Sequence, residues 1–250
     1  MSTAPHLPST LRACERRHPI PMPNAGKHMG APSRAPFDSA GYSRLMRTNL
    51  KIRVLLFDLG GVLLKLRDPI ETFGLQIDAA EFKQQWLRSP SVRQFESGVI
   101  EAEEFARKIV AEAELPYDWQ DFVKRFNAWP ERLFDQTLSM LQAIPASYHR
   151  ALLSNINALH WGREDIAASL GGCFDQSFLS YQTGLTKPDR EAYELVVETY
   201  ACRPDEVLFF DDNSTNVRAA ADYGMQAVLA IGIGAVVETL QQRGILTWPE

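Results

Sequence analysis

The chain has 250 residues, 45% of them hydrophobic, with 31 acidic against 26 basic side chains and a net charge of −5. That is room for one α/β domain with an insertion, or for two small domains, with apolar content enough for a sizeable core. No stretch approaches the roughly 18 apolar residues of a membrane helix; an acidic body without a basic stripe speaks against nucleic-acid binding; and the widely spaced Cys14, Cys173 and Cys202 argue against a disulfide framework or zinc site and for a reducing, cytoplasmic setting.

Residues 1–48 are rich in Pro, Ser, Ala and Arg, and Pro5, Pro8, Pro19, Pro21, Pro23, Pro32 and Pro36 forbid a long helix or a central strand. The segment reads as a disordered leader. It carries much of the positive charge (Arg12, Arg16, Arg17, Lys27, Arg34, Arg44, Arg47), so the remainder is distinctly acidic. An amphipathic pattern and an apolar signal core are both missing, and a targeting role is not indicated. Met46 stands just before the first strand-forming segment, as a start residue often does.

That strand is the apolar run Val54-Leu55-Leu56-Phe57, which ends in Asp58 and the turn Leu59-Gly60-Gly61-Val62. A short continuous apolar run fits a strand buried on both faces of a parallel sheet, and two glycines allow a close approach of backbone to ligand. From about Pro69 to Asp135 the pattern changes. Phe82, Trp86, Phe95, Phe105, Ile109, Trp119, Phe122 and Phe126 recur at helical spacings among charged residues, which predicts amphipathic helices whose aromatic stripe is core. Beyond Ala151, short apolar runs (151–153, 174–179, 207–210 and 227–231) alternate with helical stretches. The expected architecture is therefore a Rossmann-like, doubly wound parallel α/β sheet formed by residues 49–68 and 136–250, with residues 69–135 as an all-helical cap inserted after the first strand.

Ligands of an open parallel sheet bind beyond the carboxyl ends of its strands. Four such ends carry chemistry: Asp58; Ser154-Asn155; Lys187-Pro188 after the Gly184-Leu185-Thr186 loop; and Asp211-Asp212-Asn213. Singly, each has an ordinary structural use, as helix cap or solvated loop residue. Together and in this order they supply a nucleophile, a hydroxyl donor, a cation and a metal site for a phosphate. His160, beside Trp161, could approach the same region, although packing or capping is the commoner fate of such a residue.

In Phe57-Asp58-Leu59-Gly60-Gly61-Val62, Leu153-Ser154-Asn155, Lys187-Pro188 and Phe209-Phe210-Asp211-Asp212-Asn213 the chain resembles the haloacid dehalogenase (HAD) superfamily of hydrolases, over nearly all of residues 52–231. The helical insertion is similar to the small cap of the subfamily with phosphoglycolate and sugar phosphatases, 2-haloacid dehalogenases and the phosphatase domain of soluble epoxide hydrolase. Residues 153–160 and the Asp-Asp-Asn segment are similar to bacterial α-glucose-1-phosphate phosphatases. The resemblance implies a Mg²⁺-dependent phosphatase acting on a small phosphorylated metabolite of the sugar-phosphate class, as a cytosolic monomer or homodimer. Asp58 would be the nucleophile and form an aspartyl-phosphate. Asp58, the Gly60 carbonyl and Asp212 would hold the Mg²⁺, with Asp211 behind them. Ser154 with a nearby backbone N–H, Asn155 and Lys187 would hold the phosphoryl group.

One position departs from the superfamily pattern. Most of its phosphatases carry a second Asp two residues after the nucleophile, as general acid and base; here that residue is Gly60. Three explanations stand open: a leaving oxygen acidic enough to need little protonation, such as the anomeric oxygen of a sugar 1-phosphate; a proton from a cap residue or water; or a phosphate-binding regulatory protein of weak catalysis. Dehalogenase chemistry on the same Asp is a further enzymatic alternative, which the Asp211-Asp212 pair argues against. Arg67, Asp68, Arg93, Glu96 and Trp129 are candidates for substrate selection.

Overall fold

The computed structural model describes residues 52–248, so the expected disordered leader, residues 1–48, lies outside the described residues. Strand β1 (Val54–Phe57) is completely buried and lies between β4 (His149–Ser154) and β6 (Val207–Asp211), with β5 (Gln176–Leu179) and β7 (Gln226–Leu229) outside them. All neighbours in this five-stranded sheet, of order β5-β4-β1-β6-β7, are parallel. Phe57 is in register with Leu152 and Phe210, so the chemistry-bearing ends of the three central strands open on one edge.

Side chains of a strand alternate between faces, and here each face has its own core. Leu55, Phe57, Leu152, Leu208 and Phe210 pack against α6 (Thr137–Ala143), α8 (Glu164–Leu170) and α12 (Gly232–Gln242). Val54, Leu56, Ala151, Leu153, Val207 and Phe209 pack against α10 (Arg190–Thr199) and α11 (Ser214–Tyr223). Helices on both faces explain why the strands read as unbroken apolar runs; alternation appears only where one face meets water. The doubly wound α/β sheet is thus the observed fold.

Between β1 and α6 the chain forms five helices: α1 (Pro69–Phe73), α2 (Ala79–Arg88), α3 (Pro90–Glu96), α4 (Ala102–Glu112) and α5 (Trp119–Ala128). Asp68, Asp78, Ser89 and Asp118 cap α1, α2, α3 and α5 by accepting N–H bonds from the first turn. Their apolar faces converge on a separate cluster of Phe73, Val92, Phe95, Phe105, Phe122 and Phe126. Phe95, Phe105, Ile109, Phe122 and Phe126 of the predicted stripe are core, whereas Phe82, Trp86 and Trp119 are only partly buried against it. The segment is not wholly helical, however. Residues Leu64–Leu66 (β2) and Pro130–Leu133 (β3) form an antiparallel ribbon where the helical block joins the sheet, with a register irregularity at Lys65/Leu66. Among the described residues no helix is long and apolar enough to cross a membrane.

Candidate active site

The turn after β1 is closed by its own backbone. Leu63 and Leu64 donate to the Leu59 carbonyl, Gly61 donates to Leu64, and Gly232 donates to the Gly61 carbonyl at 2.7 Å. Gly61 has φ +74°, and a Cβ there would collide with the Asp212 carboxylate. This glycine is required. Gly60 differs: its φ is not left-handed, and the nearest atom an added Cβ would meet is Leu66 Cδ1, at an ordinary 3.5 Å. Its lack of a side chain is a chemical feature of the site, not a demand of the backbone.

Asp58 ends β1 with its N–H bonded to the Phe210 carbonyl, which ties the residue to the neighbouring strand end. Its carboxylate receives the Lys187 ammonium at 2.8 Å, and the same ammonium reaches Asp211 at 2.7 Å. Lys187 is 4% exposed and lies over the Phe209 ring. Burial pulls its pKa down, but Asp211 and Asp58 outweigh burial and hold it above the ordinary lysine value. Asp211, fully buried, also accepts the Asn213 N–H at 2.8 Å and the Asn216 amide. A carboxylate so occupied serves to orient Lys187.

Asp58, Asp211 and Asp212 bring ligand oxygens within 4.8 Å of one another. Three carboxylates against one ammonium leave excess negative charge. Burial raises the Asp58 pKa, Lys187 lowers it, and Asp211 and Asp212 raise it again, to about 7; burial and Asp211 likewise raise that of Asp212. The donor set is all oxygen, without His or Cys, and its surplus charge is what a hard divalent cation such as Mg²⁺ would offset. The residues present therefore fit the ion.

The loop after β4 is held by side chains. Ser154 is buried at the strand end and lines the cleft. Asn155 spends its side chain on the Lys187 backbone, accepting its N–H at 2.8 Å and donating to its carbonyl at 2.9 Å. The Asn155 side chain thus fixes the lysine loop, leaving its backbone as the part that could face a phosphoryl oxygen. Ser180 bridges the N–H and C=O of Ile156 at 2.9 and 3.0 Å. Asn157 caps helix α7 (Ala158–Trp161). His160 donates from Nε2 to the Phe126 carbonyl at 2.8 Å, since a carbonyl can only accept, and it stacks on the Phe126 ring. Its Nδ1 then accepts from Asn157. Burial lowers its pKa to about 4, and it is a neutral packing residue, as its residue type foretold.

These strand ends and the helical block enclose a cleft of about 600 Å³, within the ordinary range for small-molecule sites. Asp58, Gly60, Ser154, Asn155, Lys187 and Asp212 all line it, opposite Phe82, Trp86, Leu87 and Trp129. Arg67, Arg93, Glu96 and Trp129 also line it, whereas Asp68 does not and is instead the cap of α1. Burial raises the Glu96 pKa, Lys187 and the Trp86 hydrogen bond lower it and Asp58 raises it, with a net value of about 7. The sequence offers Glu96 as one of five candidates for substrate selection but does not reveal this coupling, because it crosses from the helical block to the sheet.

The model of haloacid dehalogenase-like hydrolases matches residues 52–224. The D-ribitol-5-phosphate phosphatase of Bacteroides thetaiotaomicron is 29% identical over 193 residues, which are 70% of this chain and 90% of that one. Bifunctional epoxide hydrolase 2 of Rattus norvegicus is 30% identical over 119 residues, 44% of this chain but 22% of that protein. A HAD family enzyme of Bacteroides thetaiotaomicron, solved in complex with magnesium and inorganic phosphate, superposes with a TM-score of 0.58 at 26% identity, over 71% of this chain and 93% of that one. A HAD-like hydrolase from Porphyromonas gingivalis gives 0.60 at 25% identity, over 76% and 98%. The α-glucose-1-phosphate phosphatase likeness is not among these matches. The chain belongs to the haloacid dehalogenase-like hydrolases and is an enzyme of their phosphatase-like kind.

Proposed function

We propose that the protein is a Mg²⁺-dependent phosphomonoesterase that transfers the phosphoryl group of a small sugar or sugar-alcohol phosphate to Asp58 and then to water. The observation that carries this reading is the Lys187 ammonium held between Asp58 and Asp211 at 2.8 and 2.7 Å, beside Asp212, at the mouth of a cleft of metabolite size. Asp58 sits at a strand end with its N–H bonded to Phe210 and its carboxylate paired with Lys187, so attack on phosphorus needs little reorganisation. Lys187 offsets charge on the phosphoryl oxygens, with Ser154 and the Asn155 backbone as hydrogen-bond partners. Asp58, the Gly60 carbonyl and Asp212 would hold Mg²⁺, which when bound neutralises the carboxylates and the phosphate. Asp211 keeps Lys187 in place. The helical block, residues 69–135, acts as the cap over this site, and its aromatic wall offers flat apolar surface to the carbon face of a polyol.

The D-ribitol-5-phosphate phosphatase supports the substrate class, and the relative solved with magnesium and phosphate supports the cofactor. The three-carboxylate cluster speaks for a metal-assisted phosphatase and against metal-free dehalogenation. The test is phosphate release from a panel of sugar 1-phosphates, sugar 6-phosphates and pentitol 5-phosphates, with Mg²⁺ and with a chelator. Release from at least one class, lost with chelator, is expected. Halide release from a 2-haloacid with no phosphate release would overturn the reading.

A further inference from the structure

We propose that Glu96, on the helical wall of the cleft, is the general acid and base that Gly60 leaves out of the loop after β1. The proposal rests on the phosphatase reading of this site. It begins from elimination. Of the carboxylate and imidazole groups that line the cleft, Asp58 is the nucleophile, Asp212 belongs to the metal set, and His160 has both ring nitrogens engaged by Phe126 and Asn157. Glu96 is the remaining one, half-buried and facing the same space as Asp58 and Gly60.

The placement is not incidental. Helix α3, which ends in Glu96, touches segments that follow strand β5 on both sides of this residue. Arg93 pairs with Asp189, next to the Lys187-Pro188 segment. Two residues after Glu96, Gly98 has φ +73° and lies so close to the Tyr181 carbonyl that a Cβ would collide with it. Phe95, buried against Phe105, fixes the helix rotation. The groups that face Glu96 are Lys187 and Asp58 from the sheet and Trp86 from α2. Burial, opposed by Lys187 and Trp86, gives Glu96 a pKa of about 7, where a carboxyl can both give and take a proton near neutrality.

Attack by Asp58 drives the leaving oxygen away from the sheet, toward the helical wall, because attacking and leaving oxygens stand roughly in line. An Asp58 oxygen bonds to phosphorus as the bond to the leaving oxygen breaks. That electron pair stays on the leaving oxygen, which takes the Glu96 proton and departs as an alcohol. Water then bonds to phosphorus and passes a proton to the Glu96 carboxylate, while the bond to Asp58 breaks and its pair returns to the carboxylate. Glu96 is protonated again. On this account an ordinary sugar or polyol hydroxyl is a sufficient leaving group, and an anomeric phosphate is not required.

The experiment compares the parent chain and Glu96→Gln, with Mg²⁺, on a pentitol or hexose phosphate and on 4-nitrophenyl phosphate, whose leaving group needs no proton. Turnover of the sugar phosphate is expected to fall by about 10²- to 10⁴-fold, mostly in kcat. With 4-nitrophenyl phosphate, Glu96→Gln should release a burst near one equivalent of nitrophenolate and then slow, because only the second step still needs a base. The parent's kcat should decline on the alkaline side, where Glu96 has lost its proton, and the variant should lack this limb. Gly60→Asp in the Glu96→Gln background, which the backbone accepts, should restore part of the turnover and so shows that loss was not misfolding. Equal losses on both substrates without a burst, a change in KM alone, or no rescue by Gly60→Asp would overturn the assignment while Mg²⁺-dependent release by the parent left the phosphatase reading intact. Absence of phosphate release by the parent would overturn both.

Discussion

At the scale of single residues, the site divides into what chain order shows and what only contact shows. Asp58 and the Asp211-Asp212 pair are legible because apolar strands ending in carboxylates are legible. Asn155 is legible as a site residue but not in its role, since its partner is a backbone far along the chain. The two turn glycines look alike in sequence, yet Gly61 alone is demanded by φ and by its approach to Asp212. Gly61→Ala should therefore displace the Asp212 carboxylate, lower stability by more than about 1 kcal/mol, and slow phosphate release by about 10²-fold. Thermal melts and steady-state rates check this; an alanine variant with parent stability and turnover would show that the turn has room to give.

At the scale of elements, helices α4 and α5 carry a period long enough to identify, and the central strands are legible as unbroken apolar runs. Strands β2 and β3 are not: one is three residues and the other begins with Pro130, and each exists because of the other. Helix α7, four residues long, shows what such elements do. It places His160 between Asn157 and the Phe126 ring and carbonyl, fastening the loop after β4 to helix α5. Burial there lowers the His160 pKa from 6.5 to about 4, so the unfolded chain binds a proton in that interval while the folded chain does not. The associated stability is fully present above about pH 6.5 and is lost as pH falls through the interval toward 4. Melting curves from pH 7 down to pH 4 should show the parent losing stability relative to His160→Gln on acidification. Parallel pH dependence of the two would mean that His160 is not held neutral.

At the scale of the whole molecule, an apolar scaffold gathers acidic groups at one edge, and the helical block encloses them. Two cores with the sheet between them make the strand ends rigid, while a third core lies within the block. The gathered carboxylates oppose one another, and a bound divalent cation would relieve this. Under the Mg²⁺ proposal, binding stabilises the folded chain by linkage, about 2.7 kcal/mol at a hundredfold excess over Kd, or roughly 5–10 °C in Tm for a domain of this size. Asp212→Asn should abolish most of that shift; a Mg²⁺ effect equal in both proteins would place the ion elsewhere. The central claim is that Asp58 carries the phosphoryl group. Its most direct test is rapid acid quench of the protein turning over a phosphorylated sugar with Mg²⁺, followed by mass spectrometry of the peptide that contains Asp58. A phosphoryl group on that peptide, absent from Asp58→Asn together with all phosphate release, is the predicted result; sustained phosphate release by Asp58→Asn would contradict it.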